Sequence, residues 1–175
     1  MKIELYQTEN RGSNLIRLGN FVDERGGSWC PSDPRTARAL NCELVHGTQF
    51  VDFPGTFSAV GPIVSNRIFE EFKGFSIHPS LDWIRTVVDG HKLPLEQRVF
   101  WVGHFDYDEL PIVTVPDPED EFFGPRRLAT NAQIDSKMDF VVDSDTQVLF
   151  SSSLKNHLTK FLSPEVHFVE LGRGW

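Results

Sequence analysis

Apolar and polar residues alternate at the start of the chain: Ile3, Leu5 and Gln7 interleave with Lys2, Glu4 and Tyr6, which predicts an opening strand over residues 2–8. The turn Asn10-Arg11-Gly12-Ser13-Asn14 and the loop Asp23–Ser28 bracket a short apolar stretch, Leu15 to Leu18. Ser32-Asp33-Pro34 has the form of a helix start, a capping oxygen ahead of a proline in the first turn, and predicts a helix running to about Leu40. Leu44-Val45 and Phe50–Phe53 are strand-like, the second ending at Pro54-Gly55. Trp83–Val88 is rich in β-branched residues and is followed by Asp89-Gly90 and then Val99–Val102, the pattern of a long-looped hairpin. Ile112–Val115 predicts a short strand before the loop Pro116-Asp117-Pro118. Phe122–Arg127 is an aromatic-basic step, and Met138–Val142 and Val148–Phe150 flank the turn Asp143–Thr146.

One pattern occurs twice. Ile63-Val64-Ser65-Asn66-Arg67-Ile68-Phe69-Glu70-Glu71-Phe72 aligns with Leu149-Phe150-Ser151-Ser152-Ser153-Leu154-Lys155-Asn156-His157-Leu158. Each copy reads as a short buried strand, a serine that caps the next helix, and a two- to three-turn helix. Ile68 with Phe72, and Leu154 with Leu158, stand four apart and give each helix one core-facing stripe. A proline-bearing extended piece follows each helix, so the repeat-like units span about 61–79 and 147–169. The predicted core contains Ile63, Val64, Ile68, Phe72, Trp101, Val141, Leu149, Leu154, Leu158 and Phe168. The fold class expected is α+β: a mixed, mainly antiparallel sheet with a few short helices, in a single domain over 1–175.

Composition narrows the function classes. Hydrophobic residues make up 39% and charged residues 24%, which excludes a disordered acidic tail. No apolar run is long enough to span a membrane, and the N-terminus lacks the apolar core of a signal peptide, so a cytoplasmic location is expected. Cys30 and Cys42 form no CxxC pair and predict ordinary thiols in a reducing compartment.

The net charge is −8, and between Asp106 and Glu121 seven acids (Asp106, Asp108, Glu109, Asp117, Glu119, Asp120, Glu121) stand with no Lys or Arg. Such a surface repels phosphate backbones and excludes nucleic acid as the expected partner. It attracts a basic protein, with Phe122 and Phe123 as candidate apolar anchors. The same stretch also reads as a solvated loop that keeps the chain soluble, with the two phenylalanines turned into the core.

Candidate chemistry is sparse. The six histidines have no HxxxH or HxH spacing; the best local ligand row is His104-x-Asp106-x-Asp108, if those residues alternate along one strand. Ser65 and Ser151 lie in no nucleophile elbow, and Asp143-x-Asp145 lacks the glycine and glutamate of a calcium loop. Asp82, Asp89 and Glu96 have no evident acid–base partner. The sequence therefore nominates no catalytic residue, no metal and no cofactor, and predicts a protein that is not an enzyme.

Pro62-Ile63-Val64-Ser65-Asn66-Arg67-Ile68-Phe69-Glu70-Glu71-Phe72, placed after Asp52-Phe53-Pro54, resembles the central motif of the type-eleven immunity family of bacterial polymorphic toxin systems. The second strand-Ser-helix unit, Val148 to Leu158, and the closing strand, Val166 to Leu171, extend that resemblance over roughly residues 50–171. The resemblance implies a small cytosolic protein that binds a cognate secreted toxin and blocks it without catalysis. It brings no catalytic residues with it. Two other classes fit the residues: a small ligand-binding or enzymatic domain whose pocket forms only in three dimensions, and an interaction subunit of a larger assembly.

Overall fold

The computed structural model describes residues 4–30, 36–56, 62–79, 81–90, 92–111, 113–116, 126–128, 137–142 and 148–173. Along the chain these form β1 (Leu5–Asn10), β2 (Arg17–Asp23), β3 (Leu40–His46), β4 (Gly55–Thr56), β5 (Ile63–Ser65), α1 (Asn66–Glu70), β6 (Asp82–Asp89) and β7 (Val99–His104). There follow β8 (Thr114–Pro116), β9 (Arg126–Leu128), β10 (Phe140–Val142), β11 (Val148–Ser151), α2 (Ser152–Leu158), β12 (Val166–Glu170) and β13 (Gly172–Arg173). The fold is α+β, with mostly antiparallel sheets and two short helices among the described residues.

A six-stranded sheet runs in the order β4-β2-β3-β6-β7-β5, and a four-stranded sheet runs β10-β11-β1-β12. A small third sheet joins β13, β9 and β8. The β6–β7 hairpin is antiparallel, with Ile84 opposite Val102 and Arg85 opposite Trp101. The period-2 pattern buries Leu40, Cys42 and Leu44 on β3 and Ile84, Thr86 and Val88 on β6; the alternate residues of β3 are exposed, and on the second face of β6 Arg85 and Asp89 are exposed while Trp83 and Val87 are half-buried. Phenylalanines knit the two larger sheets together. Phe53 meets Phe150 edge-on at 5.6 Å, Phe140 lies 5.2 Å from both Phe150 and Phe72, and Phe140 also reaches Trp83 at 5.6 Å.

Two glycines are sterically required. Gly47 has φ +77°, and a Cβ there would lie 2.2 Å from the Leu15 carbonyl oxygen. A Cβ on Gly103 would come within 2.6 Å of the Pro62 ring, which packs against β7.

The opening strand, the hairpin of β6 and β7, the β10–β11 pair and the closing strand lie where the alternation places them, each shifted by a few residues. Of the ten predicted core residues, eight are buried, and Trp101 and Phe168 are partly buried against the same core. Four expectations differ. The helix to Leu40 does not form over Thr36–Ala39, and Leu40 opens β3, because β3 is paired on one side to β2 and on the other to β6. Residues 32–35 lie outside the described residues.

Phe50–Phe53 is buried or half-buried but joins no ladder; the Asp52 carbonyl accepts from the Ser65 amide, and its carboxylate accepts from Ser65, Arg67 and Ser163. The strand expected at Ile112–Val115 runs instead from Thr114 to Pro116, the proline closing it where no further ladder bond is needed. Helix α1 has five residues, less than the two turns expected, and Gly74 at φ +88° redirects the chain soon after it.

Candidate functional site

Both repeated serines are helix caps. Ser65 Oγ accepts from the Ile68 amide at 3.4 Å, and Ser151 Oγ accepts from the Leu154 amide at 3.1 Å. Each hydroxyl also donates to an aspartate upstream, Ser65 to Asp52 Oδ1 and Ser151 to Asp139 Oδ1, both at 2.6 Å. In each unit the serine amide donates to the carbonyl of that same aspartate, at 2.8 Å in both cases. The repeat therefore begins earlier than the strand-Ser-helix pattern suggests. Asp52-Phe53 stands 13 positions before its serine and Asp139-Phe140 stands 12 before its own.

The second carboxylate oxygens cross over. Asp52 Oδ2, in the first unit, accepts from the amide of Ser163 at 2.8 Å, in the piece that follows the second helix. Asp139 Oδ2, in the second unit, accepts from the amide of Ser76 at 3.0 Å, in the piece that follows the first helix. Each unit thus holds the tail of the other in a reciprocal clasp. His157 of α2 adds a contact, its ring nitrogen 2.9 Å from Glu71 at the end of α1.

The two clasps are not equivalent. Asp52 is fully buried and carries an additional partner, Arg67, which donates through Nε at 2.7 Å to Oδ1 and through Nη2 at 2.6 Å to Oδ2. With Ser65 and Ser163 this makes four donors on two oxygens, a saturated carboxylate. Burial pushes the Asp52 pKa upward, but the hydrogen bonds from Arg67, Ser65 and Ser163, with the Arg67 charge, outweigh it and hold the group below the ordinary carboxylate value. Asp52 is therefore ionised at neutral pH and has no lone pair left for a substrate proton.

Beside this clasp opens a cleft of about 500 Å³, bounded by Phe50 and Arg67, by Glu96 and Val99, and by Leu162 and Ser163. Arg67 is half exposed at its rim, with its guanidinium 5.6 Å from the centre of the Phe50 ring. Behind the Leu162–Pro164 segment lies a second hollow of about 300 Å³, reached by Lys155 and His167.

The acids singled out by charge fall in two groups. Asp106, Asp108 and Glu109 are exposed around a 3-10 turn over Tyr107–Glu109, and Asp106 uses one carboxylate oxygen to accept from the Asp108 amide at 3.0 Å. Asp117, Glu119, Asp120, Glu121, Phe122 and Phe123 lie outside the described residues, as does the Asp143–Asp145 pair. The His104-x-Asp106-x-Asp108 row does not form a strand face, because β7 ends at His104 and the turn breaks the alternation. His104 instead packs 5.7 Å from Trp29. Among the described residues no group of three His, Cys, Asp or Glu side chains is placed to hold a metal, and no helix is long and apolar enough to cross a membrane.

The sequence reading passed over Asp52, Asp139, Arg67 and Ser163. The signal that identifies the first two is the Asp-Phe dipeptide recurring at nearly the same distance before each capping serine. Arg67 and Ser163 carry no pattern of their own; only the fold brings them to Asp52. No protein-family model matches the chain, and no curated protein matches it at a significant level.

Proposed function

We propose that this chain is a non-catalytic inhibitor of the immunity type, which binds and neutralises a cognate toxin protein of basic character. The observation that carries the reading is where the Ser-centred units spend their polar atoms. Ser65, Ser151, Asp52 and Asp139 are the reactive-looking groups of the motif, and their oxygens are engaged in bonds that hold helices and tails in place. What remains for function is surface. There the formal excess is eight negative charges, and the exposed acids Asp106, Asp108 and Glu109 have no ion pair among the described residues. Acids of this kind raise the capture rate of a basic partner and compete for a cleft that would otherwise hold an anionic substrate.

The resemblance of residues 50–171 to the immunity family supports the same reading, and with it a cytoplasmic location. Co-expression with the product of the adjacent open reading frame tests it. The expected result is a complex that survives purification and rescue of cells from that product's toxicity. A neighbouring product that is harmless, or toxic but neither bound nor neutralised, sinks the proposal.

A further inference from the structure

We draw no further inference here: the strongest candidate, the cleft beside Arg67 walled by Phe50, Val99 and Leu162, is lined by one positive and one negative side chain, Arg67 and Glu96, and nothing in the structure shows what covers it.

Discussion

Asp52 is the residue on which most of the described interior polarity converges, and its environment dictates how the protein responds to acid. The group is ionised and buried, and its folded-state pKa lies below the ordinary carboxylate value because four donors outweigh its desolvation. A depressed carboxylate contributes stability that is present above the unfolded pKa of about 3.9 and disappears as pH falls through the folded value. Asp52→Asn should therefore cost about 2–4 kcal/mol at pH 7, since its amide would face the donors of Arg67 and Ser163. Thermal unfolding at pH 7 and again near the acid limit is the check. The gap between wild type and variant should be wide at neutrality and narrow as the solution is acidified below about pH 4. A gap that stays constant would show that the Asp52 charge does not support the fold.

The two cysteines give a second residue-scale contrast. Cys42 is buried on β3, and burial, with Asp89 and Glu43 nearby, pushes its thiol up to about 12, whereas Cys30 is exposed. A thiol-reactive reagent should label one cysteine rapidly in the native protein and both after denaturation. Equal native rates would contradict the burial of β3.

At the scale of elements, the fold is organised by two strand-Ser-helix units that exchange their tails through Asp52 and Asp139. The loss of a cap alone costs about 1 kcal/mol. Each serine here also donates to a carboxylate, and the two carboxylates differ in burial. Asp52 is shut away from water, while Asp139 is partly exposed and can exchange the lost hydroxyl for solvent. Ser65→Ala should accordingly cost about 2–3 kcal/mol and Ser151→Ala about 1–2 kcal/mol. Denaturant unfolding of the two variants measures the order, and equal losses would mean that the buried clasp adds nothing beyond the cap.

The echo itself was legible because caps and i,i+4 stripes are local signals, confined to a few residues around Ser65 and Ser151. The hairpin of β6 and β7 was legible for the same reason, through alternation and Asp89-Gly90. The clasp was not, because its bonds join residues 111 and 63 positions apart and leave no periodicity behind. The helix expected to reach Leu40 is absent over Thr36–Ala39 for a related reason. Its signal is a few local residues, whereas Leu40 is held at the start of β3 by pairing to β2 on one side and β6 on the other. Ser163 illustrates the limit most sharply, since its amide meets the Asp52 carboxylate only when the fold is assembled.

For the whole molecule the governing quantity is the uneven field around a protein of net charge −8. Steering by such a field acts on the rate of encounter more than on the lifetime of a complex, and it weakens as salt shortens the screening length to about 10 Å at 0.1 M. A desolvated contact at the centre of an interface behaves differently, because its loss is felt in dissociation. Steering charges can therefore be told apart from buried contacts kinetically.

Asp108 and Glu109 are exposed and make no side-chain bond among the described residues, whereas Asp106 accepts from the Asp108 amide and is best left in place. Asp108→Lys with Glu109→Lys shifts the net charge by four and should leave the unfolding free energy within about 1 kcal/mol of wild type, about 0.5 kcal/mol for each surface substitution. Association with the basic partner should slow several-fold at low ionic strength and approach the wild-type rate in high salt, with the dissociation rate nearly unchanged. Measured side by side in stopped flow, unchanged association for the double lysine variant at low salt would mean that the acids around the Tyr107–Glu109 turn serve solubility alone.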